Sequence, residues 1–248
     1  MKAETDSRQK LDLGIAKDKM PRHVAIILDG NRRFAKFLNL DPWKGHEYGE
    51  KKVEKLLEWC YEVDIKELTL YAFSMQNFNR TKPEYDFLVK LFKEAFTNLL
   101  KNKKLDEYDV RIRFIGRINL FPKDVYDLMN EIMEKTKDRK TYTVNLAMAY
   151  GGREEITDGI KALVKDVKSG IVKEEDINED LFSRYLYMNS APDLIIRTSG
   201  EQRTSNFLPW QGIYSEWIFL KKYWPEFEKE DLIECIKEYS KRDIRKGK

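Results

Sequence analysis

The sequence has few of the residues that build most metal and redox sites. Its 248 residues include two cysteines, Cys60 and Cys235, and two histidines, His23 and His46. The cysteines lie far apart without metal-type spacing, which excludes a disulfide framework and predicts two reduced, buried thiols. No apolar run approaches the roughly 20 residues needed to cross a bilayer. Residues 1–20 are polar and mixed in charge, so no signal peptide is expected, and they read as an N-terminal arm or loosely docked helix. An excess of one charge is also missing. There are 46 basic and 43 acidic residues, a net charge of +3, and that balance excludes a nucleic-acid coat protein and predicts no nucleic-acid partner. The G-x-x-x-x-G-K-[ST] and G-x-G-x-x-G nucleotide signatures are absent, and His46-Glu47 lacks the second histidine of a zincin.

What the chain does contain is an alternation of short β-rich runs and amphipathic stretches. "HVAII", "ELTLYAF", "DVRIRFIG", "TYTVNLAMAY", "DLIIRTSG" and "IYSEWIFL" read as strands. Residues 44–63, the stretch "KPEYDFLVKLFKEAFTNLL", residues 122–136, "GGREEITDGIKALVKDV" and residues 228–242 read as helices. This order predicts a single α/β domain over residues 21–248, with a central, mainly parallel sheet flanked by helices. In such sheets ligands bind outside the carboxyl ends of the strands.

The residues at those ends share one chemistry. Asp29, Gly30, Asn31, Arg32 and Arg33 follow the first strand, and Ser74, Asn77 and Arg80 the second. Gly151, Gly152 and Arg153 follow the fourth; Arg197, Thr198, Ser199, Gly200, Arg203 and Ser205 follow the fifth. Guanidinium forks, small hydroxyls and glycines on one edge make a polyanion site, phosphate above all. Asp29 reads either as a turn or cap residue or as a ligand for Mg²⁺, which takes one or two carboxylates plus phosphate oxygens. Glu216, the one acid in "IYSEWIFL", needs a partner if buried, and a metal shared with Asp29 would supply one. His46 is either a surface helix residue or a phosphate contact. The apolar stripe from Phe87 to Leu100, with Leu88, Phe92 and Phe96, is either plain core or the wall of an apolar tunnel beside the sheet, and Ala72 leaves space next to it.

The blocks "HVAIILDGNRRFAK", "GHEYG", "LTLYAFSMQNFNR", "AYGGREEI" and "DLIIRTSGEQRTSNFLPWQGIYSEWIF" occur in order from about Pro21 onward. Together they resemble the cis-prenyltransferases, the undecaprenyl and dehydrodolichyl diphosphate synthase family. The resemblance implies a cytoplasmic, Mg²⁺-dependent transferase, with peripheral membrane contact for product release. It would condense isopentenyl diphosphate repeatedly onto an allylic diphosphate primer, form cis double bonds and supply a lipid-carrier precursor. It implies that Asp29 is the catalytic aspartate engaging Mg²⁺ and the allylic diphosphate, surrounded by Gly30, Asn31, Arg32, Arg33 and His46. Ser74, Asn77 and Arg80 match a loop for positioning and proton removal, and Glu84 an acid that follows it. Arg197, Arg203 and Ser205 match the isopentenyl-diphosphate clamp. Glu216 matches a second metal-binding acid from the partner subunit or near the dimer interface. Arg245-Lys246-Gly247 resembles a C-terminal R-x-G that reaches across a dimer to bind the isopentenyl diphosphate through Arg245 and Gly247.

The chain departs from the bacterial pattern, which has glycine at Arg32, tryptophan at Phe34 and Phe78, arginine at Pro42 and glutamate at Gln76; these variants resemble the archaeal and eukaryotic branch. Whether Arg32 replaces the contact missing at Pro42 is left open. Having both the aspartate loop and the R-x-G tail resembles a self-sufficient homodimer. Two rivals fit less well. A noncatalytic scaffold subunit would lack the aspartate and arginine of "DGNRR". A trans-prenyltransferase would be all-helical with D-D-x-x-D motifs, and the nearest lookalike here, Glu175-Asp176 with Glu179, reads as a solvated helix start.

Overall fold

The computed structural model describes residues 10–243. Six strands form its sheet: β1 (His23–Ile27), β2 (Glu67–Ser74), β3 (Val110–Ile115), β4 (Tyr142–Tyr150), β5 (Leu194–Arg197) and β6 (Glu216–Phe219). Their order across the sheet is β3-β4-β2-β1-β5-β6. Every pairing is parallel, with Val24 opposite both Leu68 and Leu194. Burial on both faces explains why β1 and β5 read as continuous apolar runs rather than alternating ones.

Among the described residues, eight α-helices surround the sheet: α1 (Asn31–Phe37), α2 (Gly45–Glu62), α3 (Lys82–Lys101), α4 (Lys104–Glu107), α5 (Lys123–Thr136), α6 (Gly152–Lys168), α7 (Glu179–Ser183) and α8 (Lys229–Ser240). On one face, Val24, Ile26, Leu68, Leu70, Ile112, Val144 and Met148 share a core with Leu56 of α2, Leu88 and Phe96 of α3, Met129 of α5 and Ile236 of α8. On the other, Ala25, Ile27, Ala147 and Ile195 pack with Tyr150, Met188, Phe207 and Leu208. Cys60 and Cys235 are unpaired and buried, and burial pushes both thiols up to about 12, so both are inert at neutral pH.

Residues 10–20 form an irregular segment with one 3-10 turn, Lys17–Lys19. The winding of the sheet reverses at β1: β2 lies on one side of it and β5, reached after β4, on the other. The crevice for a ligand therefore opens at the carboxyl ends of β1 and β5.

The sequence reading missed one element there. Residues 31–37 form a helix, α1, not a loop. Gly30 caps it in the left-handed region, at φ 105°. A Cβ at Gly30 would lie 2.8 Å from Tyr223 Cδ1, so only glycine fits the turn.

Candidate active site

Asp29 follows β1 at the crevice. Its Oδ2 accepts a hydrogen bond from Arg197 Nη2 at 2.7 Å, and its Oδ1 one from Arg33 Nη2 at 3.3 Å. Its backbone is fixed as well. The Asp29 N–H donates to Thr198 Oγ1 at 3.0 Å, and the Thr198 hydroxyl donates to the Asp29 carbonyl at 2.7 Å. Burial pushes the Asp29 carboxyl up, but the hydrogen bonds and charge of Arg197 and Arg33, with Ser199, hold it below the ordinary carboxylate range overall. Asp29 is thus an anion at neutral pH.

The arginines are held from behind. Arg33 donates to Ser199 Oγ at 2.5 Å and to Glu201 Oε1 at 3.1 Å. Arg197, buried at the end of β5, donates to Ser205 Oγ at 2.8 Å and to the Arg203 carbonyl, while its Nε is buried without a partner. Arg203 pairs with Glu201. Ser199, Gly200, Ser205, Asn206 and Leu208 all have left-handed backbones, a concentration of local strain of the kind that functional loops carry.

On the β2 side, a 3-10 turn, Met75–Asn79, is locked by Asn77 Oδ1, which accepts from the Ser74 N–H at 2.9 Å. Arg80 donates to Glu84 Oε1 at 2.7 Å and faces His46 Nε2 at 3.0 Å. A guanidinium has no acceptor, so His46 Nε2 must be the bare nitrogen and Nδ1 carries the proton. Burial, and then the charges of Arg80 and Arg32, push His46 down to about 3, so the ring is neutral. Arg32 Nε lies 3.6 Å from Glu84 Oε1.

Two connected spaces open beside these groups. A polar bay of about 390 Å³ is lined by Asp29, Gly30, Asn31, Arg32, Arg33, Lys36, His46 and Arg80. A cavity of about 590 Å³ starts from Asp29, Asn31, His46, Ser74, Asn77, Arg80, Arg197 and Arg203 and runs between the sheet and helices α2 and α3. Its wall includes Leu70, Ala72, Leu88, Phe92, Ala95, Phe96 and Leu99. The α3 stripe, left open by the sequence as core or wall, is both: Leu88 and Phe96 are buried in the core and also border the cavity.

Three expectations need correction. Glu216 does not meet Asp29 within one chain. Only Glu216–Phe219 of "IYSEWIFL" pairs in the sheet, and Glu216 stands opposite Leu194, whereas Arg197 stands opposite Ile27. The acid is therefore at the amino edge, bound to Arg242 of the C-terminal segment at 2.6 Å, and no metal shared by Asp29 and Glu216 of the same chain is built. The β4 loop does not join the site either. A Cβ on Gly152 would sit 1.9 Å from Pro209 Cδ, so the two glycines serve close packing against residues 206–209, and Arg153 is exposed. His46 is half-buried against Arg80 at the border of the site, not free on the helix surface. Arg245 and Gly247 lie outside the described residues.

The sequence reading also passed over Lys36 and Glu201. Lys36 joins Arg32 and Arg33 only once residues 31–37 are known to be helical. Glu201, a lone acid between Gly200 and Arg203, carried a weak signal for an ion-pair partner.

The family model described as putative undecaprenyl diphosphate synthase matches residues 27–247. The chain belongs to the cis-prenyltransferase family. It is accordingly a prenyl-transferring enzyme. A tritrans,polycis-undecaprenyl-diphosphate synthase (geranylgeranyl-diphosphate specific) of Pyrococcus horikoshii is 49% identical over 231 residues, covering 92% of this chain and 88% of that protein. The Methanocaldococcus jannaschii protein of the same description is 45% identical over 242 residues, 96% of this chain and 86% of its own length. Among solved structures, lavandulyl diphosphate synthase from Lavandula x intermedia in complex with dimethylallyl diphosphate matches with TM-score 0.89 and 33% identity, over 94% of this chain and all (100%) of that one. A probable undecaprenyl diphosphate synthase from Campylobacter jejuni matches with TM-score 0.76 and 32% identity, over 92% and 99%. Among the described residues, no helix is long and apolar enough to cross a membrane.

Proposed function

We propose that this cis-prenyltransferase extends an allylic diphosphate primer, geranylgeranyl diphosphate by likeness to its relatives, with successive isopentenyl units to give a polyprenyl diphosphate that serves as a lipid-carrier precursor. The observation that carries this reading is the continuity of the two spaces. A cationic bay sized for a diphosphate opens at Asp29 into an apolar cavity of about 590 Å³.

The chemistry follows from the groups in place. Arg32, Arg33, Lys36 and Arg80 hold the allylic diphosphate and stabilise the charge that grows on it as the allylic C–O bond breaks. Arg197, Arg203 and Ser205 hold the isopentenyl diphosphate beside it, so that its double bond attacks the allylic carbon in a fixed orientation. Closing the new C–C bond releases a proton. Asn77 has no basicity at this pH and its Oδ1 is taken by Ser74, so it shapes the loop, and the departing diphosphate takes the proton. Neutral His46 keeps Arg80 aimed into the bay. Arg32, which lines the bay where Pro42 does not, supplies the guanidinium that Pro42 lacks.

Among the described residues, no group of three or more acidic, histidine or cysteine side chains forms a metal cage. The site instead suits Mg²⁺, a cation that takes one or two carboxylates and completes its shell with phosphate oxygens and water. Asp29, ionised and lining both spaces, is the carboxylate this chain offers. Bound there, the ion would neutralise diphosphate charge as a Lewis acid. A contribution from Glu216 has to come from a second copy. Homodimerisation is supported by Ile213 and Tyr214, 72% and 63% exposed just before the edge strand β6. Ile213→Asp is expected to leave a monomer in light scattering; an unchanged dimer would exclude this edge as the interface.

The test of function is incubation with labelled isopentenyl diphosphate, geranylgeranyl diphosphate and Mg²⁺. Chain-length-resolved polyprenyl products are expected, and none from Asp29→Ala with unchanged circular dichroism. Full activity in that variant would sink the mechanism.

A further inference from the structure

The apolar cavity closes on a mixed end, where Ile65, Leu105 and Val110 stand beside polar-tipped side chains. Its far end lies at the amino edge of the sheet, where Tyr142 begins β4 and Tyr150, opposite Ser74, marks the mouth. Eight residue steps of strand separate these levels, or about 26 Å. The end is lined by Tyr61 from the last turn of α2, Tyr108 just after α4 and Tyr142, with Asn102 and Lys104. Tyr61 and Tyr108 stack with ring centres 3.9 Å apart, and Tyr142 meets Tyr61 edge-on at 5.5 Å.

The segment that precedes β1 lies across this tyrosine floor. The Leu11 N–H donates to the Glu62 carbonyl at 2.7 Å, and Leu13 and Ile15 pack on the same core. Lys10 holds the crossing. Its Nζ stands 3.5 Å from the centre of the Tyr61 ring, donates to Tyr142 Oη at 2.6 Å and to the Tyr61 carbonyl, and lies 3.2 Å from Asp64 Oδ1. Tyr142 Oη donates to Asp64 Oδ1 at 2.7 Å, and Lys66 Nζ reaches the same oxygen at 2.8 Å.

A hydrocarbon tail arriving here meets a closed ring of charged hydrogen bonds. Pushing through it would strand polar groups against hydrocarbon, which is unfavourable. The strap itself is held loosely. The Lys10 side chain is 37% exposed, so its ion pair with Asp64 adds little to the stability of the fold.

We propose that Lys10 is a specificity-determining residue, an ammonium latch that holds the residue 10–15 strap over the tyrosine floor and so sets the longest chain the cavity accepts. This rests on the proposed polyprenyl synthesis. Lys10 is remote from the diphosphate groups, so the latch acts on product length and not on the first condensation.

The test compares wild type with Lys10→Met, which keeps the aliphatic stem and removes the ammonium. Products from labelled isopentenyl diphosphate are expected to lengthen by one isoprene unit or more, with kcat/KM for the first condensation unchanged. A second measurement needs no catalysis. Affinity for n-alkyl phosphates of increasing length is expected to rise and then level off in wild type, and to level off at a longer chain in Lys10→Met. Wild type that makes polyprenyl products while Lys10→Met makes the same lengths overturns the latch. Wild type that makes none overturns the proposed function, and the alkyl-phosphate titration still decides the latch: a shifted plateau upholds it and an unshifted one removes it.

Discussion

Asp29 Oδ2 and Arg197 Nη2, 168 positions apart in sequence, meet at 2.7 Å across the carboxyl ends of β1 and β5. Each is a counterion for the other until substrate arrives, and on the proposed reading diphosphate binding exchanges this pair for phosphate contacts. Asp29→Asn keeps the shape but removes the charge. Turnover is expected to fall by about 10²-fold or more, the scale of losing one electrostatic group that acts in the transition state. Stability should fall by only about 1.5–3 kcal/mol, the scale of a charge-assisted hydrogen bond. Isotope incorporation and thermal melts on the same samples separate the two effects.

His46 makes the fold sensitive to acid. Its folded value is lowered to about 3 from the ordinary 6.5, so the unfolded chain binds the proton first. The stability this contributes is complete above pH 6.5 and is lost as the pH falls from there towards 3, with a slope of up to about 1.4 kcal/mol per pH unit. His46→Gln offers Arg80 an acceptor that does not titrate. Urea unfolding between pH 7 and 5 is expected to show a flatter dependence in the variant; equal slopes would contradict the burial and tautomer assigned to His46.

Gly30→Ala tests the turn that aims α1. The positive φ and the approach to Tyr223 together are expected to cost about 1–3 kcal/mol. Displacing α1 moves Arg32 and Arg33, so KM for the allylic substrate should rise along with the loss in denaturation midpoint. Wild-type kinetics in a destabilised variant would detach α1 from substrate binding.

Ala72→Leu places bulk on β2 where the strand borders the cavity. Because the added methyl groups enter open space, the stability change is expected to stay under about 1 kcal/mol, below the 1–3 typical of overpacking a filled core. Product chains should shorten, as read by reversed-phase chromatography. An unchanged length distribution would place the growing tail elsewhere.

Much of this was legible in the sequence, because parallel strands are short apolar runs and the polar residue that ends each run marks the sheet edge. Asp29, Arg80 and Arg197 were found that way. What was not legible depended on geometry below the resolution of pattern. Helix α1 has seven residues, is capped by a glycine and carries two arginines in its first turn, so no apolar period announces it. That Glu216 and Asp29 lie at opposite edges was hidden because the apolar residues around Glu216 extend beyond the four that pair in β6. Gly151-Gly152 looked like a phosphate loop, but the space those glycines leave is filled by Asn206 and Pro209, a contact that only the folded chain reveals.

The shared border of the bay and the cavity has one more consequence. If the headgroup that arrives with each isopentenyl unit takes the place of the diphosphate just expelled from among the arginines, growth drives the tail inward, and each buried methylene strengthens retention by about 0.8 kcal/mol. Dissociation between additions then becomes rarer as the chain lengthens, until the tail reaches Tyr61, Tyr108 and Tyr142 and further units bury nothing more. Processivity would follow from a blind channel fed at its charged end, and termination from the floor and strap that close the other.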